Sequence, residues 1–306
     1  MLVNGAPGNL ISIRDRGLLY GDGVFRTLLV SNGQPQHWPL HYCKLQQDCA
    51  VLGIACPDFD SLAAELSGLS DAHPDAVLKL IVTRGLSARG YAPVPSGHAL
   101  TIKSPMSSPL TPGSLPHAGE KDVVSQRKSP VYAMPTHIWD VAPLPECPES
   151  YALQGVTLHL CELRLGHQPR LAGIKHLNRL ENVLAAAEVA DAGAAEGLLL
   201  DSDDHVIEGV RSNVFLISNG RVITPDLSRC GVAGVQRDRV IAYAGQQGMR
   251  IEVRDVELNE LLSADEVFLT NSVFGLWSVS RFGQRCWMGF SHAEKIRAWL
   301  ERSDHG

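Results

Sequence analysis

Apolar residues recur along this chain at two spacings, and the alternation between them marks out its elements. Leu2-Val3-Asn4-Gly5 reads as a short strand entering a turn. Val24-Phe25-Arg26-Thr27-Leu28-Leu29-Val30 is a β-rich run closed by the hairpin signal Ser31-Asn32-Gly33. Leu40, Cys43, Leu45, Cys49, Val51 and Leu52 keep helical spacing and predict a helix over 40–52, and Val77 to Thr83 predicts a strand. The pattern then lapses. Residues 105–150 carry nine prolines and are expected to form a linker or long insert, not packed regular structure.

The pattern resumes with a strand over Gly155–Cys161 and a helix over Lys175–Ala190, with Leu177, Leu180, Leu184 and Ala187 on one face. Strands over Glu196–Leu200 and His205–Ile217 turn at Asp201–Asp204, and Asn219-Gly220 makes a tight hairpin into Arg221–Thr224. A helix is expected over Gln236–Gly248, strands over Glu266–Thr270 and Val273–Val279, and a closing helix over Ser291–Arg302. In that last helix Ser291 would be the N-cap and Glu294 would complete a capping box. The expected organisation is an N-terminal α/β domain over 1–104, the Pro-rich connection over 105–150 and a C-terminal domain over 151–306.

Composition narrows the function classes. At 306 residues, 44% hydrophobic and 20% charged, the chain can fill two modest cores. The net charge is −6 and no basic run or stripe points to nucleic acid or a membrane surface. No apolar run approaches the length of a membrane span, and the first residues do not resemble a secretory signal. The 7 cysteines are odd in number and lack a Cys-x-x-Cys pair, so free thiols in a reducing cytoplasm are expected. The 12 histidines show no metal-binding spacing, and no metal site is expected.

Four features carry candidate chemistry. Lys175 is one of 7 lysines against 20 arginines, set in Leu171-Ala-Gly-Ile-Lys-His-Leu-Asn-Arg-Leu-Glu181. Among Leu171, Ile174, Leu177 and Leu180 its ammonium would be partly desolvated, which favours an amine able to form a Schiff base or take a proton. The plain alternative is a lysine reaching water from a helix end. Glu208 stands in the β-run Val206-Ile-Glu-Gly-Val-Arg-Ser-Asn213-Val-Phe215. A carboxylate there needs a cation or donor, either a protonated pyridine nitrogen or a structural bridge to Arg211 or Arg239. Gly231-Val-Ala-Gly234-Val235-Gln236-Arg237 leads into a helix, where close backbone approach and free amides suit a phosphate, though simple turns have the same composition. Thr83-Arg84-Gly85-Leu-Ser-Ala-Arg89-Gly90-Tyr91 places two arginines and a tyrosine at a strand end, as a carboxylate receptor or as solvated loop charges. An amine, an acid, a phosphate cradle and a carboxylate receptor are together what pyridoxal 5′-phosphate chemistry requires.

On these residues the chain resembles the fold-type IV pyridoxal-phosphate enzymes, the class of branched-chain aminotransferases, D-amino-acid aminotransferases and aminodeoxychorismate lyases. Asp15-Arg-Gly-Leu-Leu-Tyr-Gly-Asp-Gly-Val-Phe25 is similar to the N-terminal signature of that class, and Asp265-Glu-Val-Phe-Leu-Thr-Asn-Ser272 to its late strand. The segment around Lys175 is most similar to the lyases, as is Arg89-Gly90-Tyr91, and Leu180 stands where the branched-chain aminotransferases have tyrosine. The resemblance implies a smaller N-terminal α/β domain and a larger C-terminal α/β pseudo-barrel with the cofactor between them, and a homodimer. It implies that Lys175 holds pyridoxal 5′-phosphate and acts as acid and base, while Glu208 pairs with the ring nitrogen. Asn213 lies in that acid-containing strand and counts with the cofactor-binding residues. Val235, Gln236 and either Asn271 or Ser272 would bind the phosphate, and Lys44 stands where the class has a phosphate-binding arginine. Arg89, Tyr91 and Lys79 become candidates for substrate carboxylates and Thr27 for a proton donor. The implied reaction is elimination of pyruvate from 4-amino-4-deoxychorismate. Amino transfer from D- or branched-chain amino acids is the alternative.

Overall fold

The structure is a computed structural model that describes residues 1–86, 90–93, 95–101, 128–132 and 134–302. The chain divides into two units, Met1–Leu144 with Lys175–Asn178, and Pro145–Ile174 with Arg179–Gly306.

The first unit runs β1 (Leu2–Val3), β2 (Ala6–Pro7), α1 (Arg16–Tyr20), β3 (Gly23–Ser31), β4 (Gln34–Pro35), α2 (Trp38–Leu52), α3 (Phe59–Ala72), β5 (Ala76–Thr83), β6 (Pro95–Thr101), β7 (Lys128–Tyr132) and β8 (Thr136–Ala142). Strands β2-β1-β8-β5-β3-β4 form one antiparallel sheet, and β6 pairs with β7. Strand β3 alternates strictly. Val24, Leu28 and Val30 are fully buried on one face with Arg26, while Phe25, Thr27 and Leu29 are half-buried on the other. Helix α2 packs on the buried face, and Trp38 stacks there among Tyr42, Phe59 and Trp139.

Three expectations are corrected within this unit. Helix α3 was not anticipated, although Asp58 caps it by accepting from Ser61 N–H and Leu62, Leu66 and Leu69 line its buried side. Strand β8 lies inside the stretch expected to be a linker, yet it pairs with both β1 and β5. The proline count hid it, because Pro135 and Pro143 flank the strand rather than interrupt it. Residues Lys175–Asn178 are not helical. They lie along β3, with Phe25 N–H donating to Lys175 O (2.9 Å) and Leu177 N–H to Gly23 O (3.0 Å).

The second unit runs α4 (Glu149–Gln154), β9 (Val156–Leu165), α5 (Leu180–Asp191), β10 (Glu196–Asp201), β11 (Val206–Gly209), β12 (Asn213–Ser218), β13 (Arg221–Pro225), α6 (Val235–Gln246), β14 (Ile251–Arg254), α7 (Leu258–Ser263), β15 (Glu266–Asn271), β16 (Gly275–Phe282), β17 (Arg285–Cys286) and α8 (Ser291–Arg302). The pairings β9-β10-β11-β12-β15-β16-β9 close a ring, the expected pseudo-barrel, with β13 and β14 continuing outward from β12. Leu158, Leu198, Val214, Leu216, Leu269 and Val279 belong to one buried core, while Phe215, Phe268 and Leu276 pack with α6 and α8 in another. Helix α5 buries Ala185 and Val189, whereas Leu180 and Leu184, expected on its inner face, are 77% and 59% exposed. The helix starts five residues later than expected and buries the face of Ala185 and Val189 instead. Helix α8 begins at Ser291 as expected, but Ser291 is not its cap. The carboxylate of Glu266 accepts from His292 and Ala293 N–H (2.9 Å each). That partner comes from β15 and leaves no local sequence signal.

Candidate active site

The site residues fall into two groups, one in each unit. In the first unit the main chain of Lys175 is fixed at both ends. Its N–H donates to Asp48 Oδ2 (3.1 Å) and its carbonyl accepts from Phe25 N–H (2.9 Å). Its Nζ lies 4.8 Å from the centre of the Phe25 ring, and so does Nζ of Lys79. Lys79 is the direct partner of Thr27 across β3 and β5, so Thr27, Phe25 and Lys79 share one face. That face presents two ammonium groups, an aromatic ring and a hydroxyl. Lys44 sits on α2 one turn before Asp48, and its carbonyl accepts from Arg26 (3.1 Å).

The strand-end segment behaves differently from its expectation. Arg84 is 6% exposed, and its guanidinium is engaged by the Asp22 carboxylate of the same unit and by Gly53 O and Leu52 O. Arg16, which had no expected role, donates to Asp22 and to the carbonyls of Gly90 and Tyr91. Tyr91 is thereby held by its backbone, with its ring against Tyr20 and 83% exposed. Arg89 lies outside the described residues.

In the second unit the register aligns three polar side chains. Glu208 on β11 is the direct partner of Asn213 on β12, which is the direct partner of Thr270 on β15. All three therefore point to the same face, and all are 5% exposed or less. A register shift between Leu199 and Leu200 of β10 adjusts β11 beside Glu208, as bulges beside functional residues do. The Gly231–Gly234 turn is clamped over this row. Val232 N–H donates to Glu208 Oε2 (2.8 Å). Asn213 accepts from Gly234 N–H (3.1 Å) and donates to Val232 O (2.7 Å). Gly173 adds a parallel bridge to Val232 from the other side. Gly231 needs its glycine, with φ +83° and space for a Cβ closed by Ile207 and Leu227.

This turn delivers α6 with no side chain capping its N-terminus, so the first amides, at Val235 and Gln236, point onward from the turn. The Gln236 side chain is committed to Arg239 (2.8 Å), leaving its backbone as its contribution. Arg211 is engaged by Glu196 (3.3 Å) and Arg239 also donates to Leu300 O. Asn271 closes its own turn, accepting from Val273 and Phe274 N–H (2.9 and 2.8 Å). Half-buried Ser272 follows it. Thr270 was not singled out in sequence. Its Oγ1 is buried with no hydrogen-bond partner among the described residues, on the face shared with Asn213. An uncapped helix terminus with an unpartnered hydroxyl beside it fits a phosphate, and the buried carboxylate of Glu208 fits a protonated ring nitrogen. His167, Asp201 and Cys230 cluster elsewhere in this unit, but Asp201 already serves His167, the 203–205 turn and Arg229.

A closed barrel with an uncapped helix over it and a lysine on a separate segment define a class of proteins, and the comparisons agree. The amino-transferase class IV family matches residues 23–282, and the chain belongs to that family. It is 33% identical to the aminodeoxychorismate lyase of Vibrio harveyi over 91% of this chain and 89% of that one. The D-alanine aminotransferase of Bacillus licheniformis is 27% identical over 86% of this chain and 79% of its own. Among solved structures, the 4-amino-4-deoxychorismate lyase of Pseudomonas aeruginosa has a TM-score of 0.82 at 41% identity, covering 98% of each chain. No described helix is long and apolar enough to cross a membrane.

Proposed function

We propose that this chain is a pyridoxal-phosphate-dependent lyase that converts 4-amino-4-deoxychorismate to 4-aminobenzoate and pyruvate. The observation that carries the reading is the face formed by Lys175, Phe25, Lys79 and Thr27, where two ammonium groups meet on one ring. One amine serves the cofactor and the second cation suits a substrate that is a dicarboxylate. The likeness to two lyases along almost the whole chain supports the same choice.

When bound, the cofactor supplies an electron sink that makes the proton next to the substrate amine removable. Lys175 would hold the cofactor through Nζ, and its amine is the base for the C4 proton of the substrate. Thr27 donates a proton to the departing enolpyruvyl group, which leaves C3 as the ring becomes aromatic. Lys79, Tyr91 and Arg89 orient the carboxylates. Glu208 keeps the ring nitrogen protonated. The amides of Val235 and Gln236 would receive the phosphate, with the Thr270 hydroxyl and Ser272 as further donors, and Lys44 is the residue proposed in place of the arginine of the class. Asn213 holds the turn that presents those amides, and Asn271 holds the turn that presents Ser272. The same reading takes the protein as cytoplasmic and homodimeric, and the exposed Leu10, Ile13, Leu18 and Leu19 support an interface.

Borohydride reduction followed by peptide mass analysis tests the lysine. The cofactor mass is expected on Lys175 in the wild type and on no residue in Lys175→Ala, which also loses lyase activity. A cofactor still fixed to the chain in that variant would refute the assignment. Assays with 4-amino-4-deoxychorismate should release pyruvate. Amino transfer to 2-oxoglutarate with no pyruvate release would replace the lyase with an aminotransferase.

A further inference from the structure

A pair of buried charges lies behind Lys175, and stability does not account for it. Arg26 on β3 and Asp48 on α2 are 2% and 4% exposed and form an ion pair. Arg26 also donates to Lys44 O (3.1 Å), yet its Nε is buried with no hydrogen-bond partner among the described residues. An incompletely bonded buried pair is a poor stabiliser, because desolvation of both ions offsets their attraction and apolar replacements of similar volume often do as well. Burial raises the Asp48 carboxyl above its ordinary value, and Arg26, the Lys175 N–H and Lys44 offset this only in part.

What the pair achieves is local. Lys175–Asn178 meets β3 through a single bridge, Val24 with His176, whose two backbone hydrogen bonds engage Lys175 O and leave the Lys175 N–H to another acceptor. Asp48 Oδ2 on α2 supplies the acceptor for Lys175 N–H (3.1 Å). We propose that Asp48, held in place by Arg26, is a positioning residue that fixes the main chain of Lys175 and with it the direction of Nζ over Phe25. This rests on the cofactor reading above. Asp48 touches neither cofactor nor substrate; it acts through the lysine. A carboxylate suits the task because it accepts from the amide and the guanidinium at once. Its charge obliges β3 to supply a buried arginine.

Two double variants separate positioning from mere structure. Arg26→Met/Asp48→Asn removes both charges and keeps an acceptor for Lys175 N–H. Arg26→Met/Asp48→Leu removes the charges and the acceptor. Visible circular dichroism per bound cofactor reads the orientation of the lysine-linked cofactor, with thermal unfolding measured alongside. The Asp48→Asn form is expected to keep the wild-type signal. The Asp48→Leu form is expected to lose most of it, with kcat lowered on the order of ten- to a hundredfold and KM unchanged. If Asp48→Leu does not fold, the smaller Asp48→Val takes its place with the same expectation. Equal signals and equal kcat in the two double variants would overturn the proposal. The dichroism needs no lyase substrate, so this outcome is distinct from failure of the lyase reading. A wild type with no visible band would instead remove the cofactor reading itself.

Discussion

Gly234 shows how one hydrogen atom sets the geometry of the anion-receptive turn. Its φ of −73° is open to any residue, so backbone strain does not demand glycine. Space does: a Cβ would stand 2.5 Å from Oδ1 of Asn213. That oxygen accepts from Gly234 N–H, and the same amide group donates to Val232 O. Gly234→Ala must therefore push Asn213 aside and release two bonds that hold the turn over Glu208. The expected result is a loss of about 1–3 kcal/mol in stability and at least tenfold weaker cofactor binding, read by equilibrium dialysis. Unchanged cofactor affinity would separate the turn from the phosphate. Gly231 and Gly234 were legible in sequence as a glycine-rich entry to a helix. Asn213 was legible as part of the acid-containing strand. Thr270 was not, because its significance lies in being the cross-strand partner of Asn213, a relation fixed by register.

At the scale of elements, what was legible depended on where the partners lie. Strands β3 and β5 and helices α2, α6 and α8 carry their own periodicity, and each appears close to its expected bounds. Helix α3 is mostly small and acidic residues with three leucines, a weak apolar stripe that packing completes. The lysine segment misled because Leu177 and Leu180 continue the helical spacing of α5 backward, while tertiary pairing with β3 claims Lys175–Asn178 as extended chain. Asp22 is another tertiary junction. It accepts from Arg16 Nε (2.7 Å) and from Arg84 Nε and a terminal nitrogen (2.7 and 2.9 Å), tying α1 and β5 to the start of β3. Burial pushes its carboxyl up, but the hydrogen bonds and charges of Arg84 and Arg16 outweigh that and leave it below the ordinary value. The unfolded chain thus binds the proton more readily. The stabilisation is complete above the unfolded value near pH 4 and is lost as pH falls through the folded value. Asp22→Asn is expected to cost about 1.5–3 kcal/mol at pH 7, the range for hydrogen bonds to a charged group. In denaturant titrations the gap between wild type and variant should narrow below about pH 4. A gap independent of pH would show that the carboxylate charge is not what joins these elements.

For the whole molecule, the net charge of −6 works against a dicarboxylate, and on the proposed reading the Lys79 and Lys175 cations beside Phe25 would reverse the field locally. On the same reading the cofactor phosphate would meet the same opposition and depend on the uncapped α6 terminus. Binding that favours the folded state raises stability by mass action, about 2.7 kcal/mol at a hundredfold excess over Kd. For a chain of this size that corresponds to a rise in melting temperature of roughly 4–5 °C. Stripped protein is therefore expected to melt lower than loaded protein and to recover when pyridoxal 5′-phosphate is added. Pyridoxal without its phosphate should recover little, because it lacks the anion proposed to engage the α6 amides and the Thr270 hydroxyl. Lys175→Ala should retain part of the rise, since those contacts do not pass through the lysine. If pyridoxal stabilises as well as its phosphate ester, the turn at Gly231–Gly234 is not the phosphate site. If Lys175→Ala shows no rise at all, the covalent link supplies the affinity and the cradle only orients.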